Sequence, residues 1–184
     1  THIVQDLLTL SRLDAGNAEL VLSRFPFGDA IESVTRANAL AAKQHGHTLT
    51  YTPPESLPLI VGDRSRLEQV MMNVIGNAVK YSGETPVLTL SLAHTAGETI
   101  LSVTDNGVGV KAHDLPYIFQ KGFTGDSAAH RKKATGMGLY LTQRMADDLK
   151  LKLEAESEYG RYFRMAIRFP ALTLERTSAS KSAE

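Results

Sequence analysis

Apolar and polar positions alternate along the chain in two periods, and the changes of period divide it into elements. Near the start, Ile3, Leu7, Leu10 and Leu13 recur at close to i, i+4, i+7 spacing. That predicts an amphipathic helix over 3–13, stopped around Gly16-Asn17. Residues 19–25 read as a short strand. Over 27–46, Ile31, Val34, Ala37 and Ala41 share one side of a helix that Gly46 ends. Residues 48–52 form a strand, and Pro53-Pro54 with Pro58 mark a loop. Asp63 is a good N-cap for a helix reaching about Ser82, with Leu67, Val70, Met71, Val74, Ile75 and Ala78 as its apolar set. Asn73, Asn77 and Lys80 fall on another face of that helix.

Farther on, 87–93 and 99–104 alternate as half-buried strands joined at Ala96-Gly97. From Asn106 to about Thr135 there is little periodicity. A helix over 136–149 follows, then strands at 152–157 and 162–169. Pro170 ends the pattern, and the Ser/Thr/Lys tail from about 173 is expected to be loose. Helices mixed with hairpin-joined strands imply an α+β fold, a two-layer sandwich with a mostly antiparallel sheet.

Composition narrows the function classes. A chain of 184 residues, 42% of them hydrophobic, is large enough for one domain with a full core. Zero net charge argues against a nucleic-acid or anionic-membrane binder, which normally carries a basic face. Without cysteine there is no disulfide frame and no thiolate metal site, which suits a reducing cytoplasm. No run approaches the roughly 20 apolar residues that cross a bilayer, and no signal peptide is visible. The chain opens inside a helical pattern with no start signal, so it is expected to belong to something longer.

Three short blocks carry candidate chemistry. Asn73 and Asn77, one helical turn apart, project from one face. Magnesium takes hard oxygen ligands and completes its shell with water and substrate phosphates. An amide oxygen of Asn77 suits it, with Asn73 beside it for a water or ribose-side group, and Lys80 can meet a phosphate as a point charge. Asp105-Asn-Gly107-Val-Gly109 ends a strand. Its carboxylate can accept from the exocyclic amine of adenine, and the glycines allow close backbone approach or positive φ. Thr135-Gly136-Met137-Gly138-Leu139 opens the last long helix, where free N–H groups point at an anion. Taken singly, each block has a plainer reading: a solvated helix face, an Asp-Asn-Gly turn, a glycine entry to a helix. Their ordered occurrence favours one nucleotide site. Between the last two blocks, Phe119-Gln-Lys121-Gly-Phe123 and the segment 125–133 look like a mobile flap. The run His130-Arg131-Lys132-Lys133 reads first as solvated charge, with Arg131 the best single choice for a terminal phosphate.

This set resembles the catalytic and ATP-binding domain of bacterial sensor histidine kinases, within the wider group that includes gyrase, mismatch-repair and chaperone ATPases. Residues 63–81 look like its N box, 105–110 its first glycine box, Phe119 to Phe123 its F box, and Thr135 to Leu139 its second glycine box. Leu7-Leu-Thr-Leu-Ser-Arg-Leu-Asp-Ala-Gly16 looks like the end of the second helix of a dimerisation hairpin. The resemblance implies a Bergerat-type fold, a mixed, mostly antiparallel sheet packed on three helices. It implies division into 1–16 (hairpin remnant), 17–172 (catalytic domain) and 173–184 (tail). It also implies ATP and Mg2+ as ligands, with Asn77 on the metal, Asp105 reading adenine, Tyr81 flanking the base, and the backbone of Gly136, Met137, Gly138 and Leu139 holding phosphates. The expected partners are the parent's own dimerisation and phosphoacceptor domain and a response regulator. The parent is expected to be a membrane-anchored homodimer with this domain in the cytoplasm.

Departures from the family pattern refine the expectation. Hydrolysing relatives have a glutamate where this chain has Asn73, and an amide cannot act as general base. Transfer to a histidine on another domain is therefore expected, with Asn73, Asn77 and Lys80 as the catalytic set. His113-Asp114-Leu115-Pro116 is rejected as phosphoacceptor motif, so the chain should bind ATP without phosphorylating itself. The lid has Thr124-Gly125 where relatives place Tyr-Arg, and the last hairpin has Gly160-Arg-Tyr-Phe where Gly-x-Gly-Thr is usual. Two rival readings are a clamp-type ATPase of the same fold and a degenerate module serving as an interaction platform.

Overall fold

The computed structural model describes residues 20–44, 46, 48–51, 59–81, 87–95, 98–125 and 136–170. In chain order the elements are β1 (Ser23–Pro26), α1 (Phe27–Gln44), β2 (Thr48–Tyr51), β3 (Leu59–Gly62), α2 (Arg64–Tyr81), β4 (Val87–His94) and β5 (Glu98–Asp105). A 3-10 turn at Leu115–Tyr117 follows, then α3 (Gly138–Asp148), β6 (Lys152–Glu158) and β7 (Tyr162–Pro170). Five strands form one sheet in the order β2-β4-β5-β7-β6. Only β2 and β4 run parallel within it; the other neighbours are antiparallel. Strands β1 and β3 make a separate antiparallel ribbon, pairing Ser23 with Gly62 and Pro26 with Leu59.

The sheet has one dry face. Thr99, Leu101, Val103 and Asp105 of β5 are all buried at every second position, in register with Leu88 and Leu90 of β4 and Met165, Ile167 and Phe169 of β7. Helix α2 packs on β5 and lies between α1 and α3. Its whole predicted apolar set, Leu67, Val70, Met71, Val74, Ile75 and Ala78, is buried. Phe27 of α1 meets Phe169 edge to face, with ring centroids 4.6 Å apart. Each fully buried side chain of this size contributes about 1.5–3 kcal/mol relative to exposure. The opposite face is polar: Arg168 pairs with Glu154 and Glu98, and Arg164 donates to Ser102 Oγ at 3.1 Å. Such single-sided sheets are typical of antiparallel pairing.

Several boundaries differ from the sequence reading. The first strand occupies Ser23–Pro26 rather than 19–25, and the last helix begins at Gly138 rather than Gly136. Strand β3 falls where only a run-in to Asp63 was expected; its four residues are held by β1, far away in sequence. In α1 the buried stripe is Ala30, Ile31, Val34, Asn38 and Ala42, and Ala37 is exposed. Asn38 belongs to that stripe because its Nδ2 donates to Val34 O at 2.9 Å and meets Met72 Sδ at 3.0 Å. Gly46 does end α1, with φ of 74° and its N–H on Lys43 O at 3.1 Å. The predicted helix over 3–13, the 52–58 loop, the Ala96-Gly97 turn and the tail from 173 lie outside the described residues.

Asp63 is the N-cap expected of it and also ties the chain entry down. Its Oδ1 accepts the Arg66 N–H at 3.0 Å and its Oδ2 accepts the Val21 N–H at 3.1 Å, while the residue is buried. Asp63→Ala removes both acceptors and should lower unfolding free energy by about 1–3 kcal/mol. A urea midpoint unchanged from the parent chain would contradict this role.

Candidate functional site

Asp105 is the last residue of the central strand, paired across the sheet with Leu88 on one side and Phe163 on the other. Alternation along β5 turns its side chain to the helix-covered face, where it is 2% exposed. Beyond it Asn106 keeps only half of the ladder: its N–H donates to Val87 O at 3.3 Å, while its side-chain Oδ1 accepts the Val87 N–H at 2.8 Å. The Gly107 N–H then donates to Asp105 Oδ1 at 2.9 Å, closing an Asx-type turn. No other hydrogen bond to this carboxylate occurs among the described residues, which leaves Oδ2 as the acceptor for a ligand. Loss of hydration pushes its pKa up to about 6, and the Gly107 N–H partly offsets that rise. A buried carboxylate with one free acceptor oxygen fits a donor edge such as an exocyclic amine.

The two glycines after Asp105 have different roles. Gly107 supplies the N–H that steadies the carboxylate. Gly109 has φ of 66°, and a Cβ there would lie 2.7 Å from Glu158 O and 2.8 Å from Tyr162 O. It is therefore needed for close packing of the loop on the β6–β7 turn, whatever the ligand.

Asn77, on α2, meets the start of α3. A Cβ added to Gly138 would sit 3.5 Å from Asn77 Oδ1 and 3.8 Å from its Nδ2, so glycine keeps that space open. Met137 occupies the N-cap position of α3 and its side chain makes no capping hydrogen bond; the first helical acceptor used is Met137 O, by Leu141 N–H. The N–H groups of the first turn therefore have no intrahelical acceptor and favour an anion. An amide oxygen beside the first turn of a helix fits a phosphate chain with its metal. Among the described residues no three His, Cys, Asp or Glu side chains gather into a metal cluster. A cation held here would take Asn77 and the phosphates themselves as ligands.

Asn73 lies one turn earlier but is tied into the protein. Gln69 Nε2 donates to Asn73 Oδ1 at 2.9 Å, and Asn73 Nδ2 lies 3.9 Å from Met145 Sδ of α3. Lys80 and Tyr81 end α2, and their side chains lie outside the described part. Phe119 packs against the core, while Phe123 meets Tyr117 at 6.2 Å between ring centroids. Gly136 has φ of 67° and touches the Gly122 backbone so closely that a Cβ would fall 2.4 Å from Gly122 C. The Gly122 N–H also donates to Gly136 O at 3.0 Å. These two glycines thus join the end of the Phe119–Phe123 block to the start of α3. Arg131 and Thr135 lie outside the described residues. His113 is exposed beside Asp114, 3.5 Å away.

The structure therefore brings Asn73, Asn77, Gly138 and the α3 start together, and sets Asp105 on the same helix-covered side of the sheet. Sequence reading missed Gln69, Met145 and Gly122. Gly122 carried a faint signal, a glycine beside Phe123; the others carried none, because each acts through a partner distant in sequence or through an ordinary helical neighbour.

Comparison with known proteins agrees with this geometry. Over 111 residues the chain is 37% identical to the sensor protein BceS of Halalkalibacterium halodurans, covering 60% of this chain and 33% of that protein. It is 32% identical over 174 residues to the probable sensor histidine kinase TcrY of Mycobacterium tuberculosis, covering 92% of this chain and 35% of that one. Among solved structures, full-length ShkA in complex with AMPPNP superposes with a TM-score of 0.76 at 27% identity, over 91% of this chain and 35% of that one. The chain thus spans about a third of the length of these relatives. No helix among the described residues is long and apolar enough to cross a membrane. Residues 62–173, which hold every element from the α2 cap to β7, match the ATP-binding family described as histidine kinase-, DNA gyrase B- and HSP90-like ATPases, and the chain belongs to that family.

Proposed function

We propose that this chain is the ATP-binding catalytic domain of a two-component sensor histidine kinase. It would transfer the γ-phosphoryl group of ATP to a histidine on a separate helical hairpin, for onward passage to a response regulator. The observation that carries the reading is the meeting of Asn77 with Gly138 at the start of α3, with buried Asp105 on the same side of the sheet. The relatives, sensor proteins and sensor histidine kinases, support kinase over other members of the family. So does Asn73, whose Oδ1 already accepts from Gln69 and which has no basicity for activating water. The parent would be a membrane-anchored homodimer, with this domain on the cytoplasmic side.

In this reading Asp105 accepts from the adenine amine, and Tyr81 flanks the base. The first turn of α3 and Lys80 hold phosphates, and Asn77 offers its amide oxygen to Mg2+. Magnesium, when bound, neutralises charge on the β- and γ-phosphates. The histidine nitrogen forms its bond to the γ-phosphorus as the bond from that phosphorus to the bridging oxygen breaks, and ADP leaves. The protein's share is positioning and electrostatics, as phosphoryl transfer generally requires. The test is phosphotransfer from ATP, with this chain as catalyst, to the histidine-bearing hairpin of the parent protein. Transfer with hydrolysis near background is expected. Rapid steady hydrolysis without transfer would favour a clamp-type ATPase, and no saturable ATP binding would favour an interaction platform.

Asp105 generates a prediction with two opposite signs. Its folded pKa of about 6 lies above the ordinary 3.8, so its contribution to stability is full below pH 3.8 and is lost as pH rises through 6. At pH 7 the ionised group then costs on the order of 3 kcal/mol. Asp105→Asn keeps the acceptor for Gly107, removes that cost, and should raise stability at pH 7 by about 1–3 kcal/mol. The same change puts an amide donor against the adenine amine and should weaken ATP by about 1.5–3 kcal/mol. Parent affinity should fall as pH drops from 7 to 5 more steeply than variant affinity, a difference that cancels titration of ATP itself. Equal ATP affinity in parent and variant at pH 7 would remove Asp105 from the site.

Asn77→Ala should abolish the magnesium dependence of ATP-analogue binding while leaving the fold intact. Calorimetry with and without the metal checks it. A variant that still binds more tightly with magnesium would exclude Asn77 as its ligand.

A further inference from the structure

Ser157 lies on β6, in the same row across the sheet as Asp105, with Phe163 of β7 between them. Two strand spacings, about 10 Å, separate the rows' ends, so Ser157 reaches Asp105 only through intervening chain. That chain is the glycine loop. Ser157 Oγ accepts the Val110 N–H at 2.7 Å and donates its own hydrogen to Tyr162 O at 2.8 Å. On the loop's other flank the Gly160 N–H donates to Val108 O at 2.7 Å. Gly109 sits between these bonds, pressed on Glu158 O, Tyr162 O and Ser157 Oγ with no room for a Cβ. Residues 108–110 are thus fastened to the β6–β7 turn on both sides. Gly107, immediately before them, carries the N–H that orients Asp105 Oδ1. One hydroxyl both accepts and donates, so its removal breaks two links of this chain at once.

We propose that Ser157 is a positioning residue for purine recognition: its hydroxyl latches the glycine loop to the β6–β7 turn and so holds the Gly107 N–H and the Asp105 carboxylate in the orientation that meets the base. The inference rests on the assignment of Asp105 to adenine. Nothing in the sequence marks Ser157, which is one serine in an ordinary alternating strand. Its two bonds run to backbone groups, and no ligand contact is required of it.

The experiment is a double-mutant cycle on the full chain, titrating a non-hydrolysable ATP analogue with magnesium by calorimetry. Ser157→Ala should weaken binding by about three- to tenfold, the worth of one ordinary hydrogen bond. Ser157→Thr, which keeps the hydroxyl, should restore it. In an Asp105→Asn background the loss from Ser157→Ala should vanish, because the two residues act in series. Equal loss in both backgrounds would overturn the proposal, since Ser157 would then act independently of Asp105. If Asp105→Asn alone leaves affinity unchanged, the reading of Asp105 fails instead, a distinguishable result. Should Ser157→Ala not fold, amide exchange in the parent chain decides. Slow exchange at Val110 supports the latch, and exchange as fast as an open loop amide rejects it.

Discussion

A carboxylate held away from water at the end of the central strand constrains the rest of this domain. Asp105 cannot be buried without a donor, and the donor must come from the chain that leaves the strand. That requirement fixes Gly107 and the tight turn at Asn106. It also brings the following loop onto the β6–β7 hairpin, where Gly109 must lack a side chain. An ionised group with a pKa raised to about 6 opposes folding at neutral pH. A cost on the order of 3 kcal/mol is a large share of the 5–15 kcal/mol that a domain has in hand. It is tolerated because most of that sheet face is apolar and closely covered, from Leu88 and Leu101 to Ile167 and Phe169. A polar group kept at such a cost supports the functional reading of Asp105 proposed above.

The proposed phosphate end of the site depends on a different constraint, the close approach of α2 and α3. Helix α2 is the hub: its apolar stripe faces β5 and α1, and its polar edge at Asn73 and Asn77 faces α3. The helices come near enough for Asn73 to reach Met145, and Gly138 keeps the space beside Asn77 clear. Gly136 and Gly122 set where α3 begins, since their backbones touch and are hydrogen-bonded. The parts proposed to read the base and to hold phosphates therefore hang from one scaffold, the α2–β5 contact, and a shift there would move both.

Legibility in the sequence followed the range of the interactions. Every long element was readable, because a helix such as α2 or a strand such as β5 announces itself through its own period. Asp63 and Gly46 were readable too, since capping is local chemistry. Strand β3 was not: its four residues have no period of their own and pair with β1 across the whole of α1. The stripe of α1 was misplaced by a polar residue, Asn38, whose burial is allowed by a bond to Val34 O and a contact with Met72. The blocks of the candidate site stood out in the sequence because nucleotide chemistry restricts residue types. Ser157, Gln69 and Gly122 were not, because they work by holding backbone or another side chain, which many residue types could do.

Asn73 links the geometry to the timing of the proposed reaction. A site that hydrolyses ATP needs a base beside the γ-phosphate to take a proton from water. Here the corresponding amide is neutral, its oxygen is engaged by Gln69 and its nitrogen faces the thioether of Met145. Nothing in that arrangement can accept a proton. On the kinase reading this is an advantage: bound ATP persists until a histidine arrives that needs no such activation. Rate control then passes from the chemistry of this domain to the encounter with its phosphoacceptor, where orientation alone can supply several kcal/mol of the barrier. On that reading the hydrogen-bonded glycine loop and the start of α3 would hold the nucleotide ready for the encounter, and the fastening of the loop would be part of the signalling function.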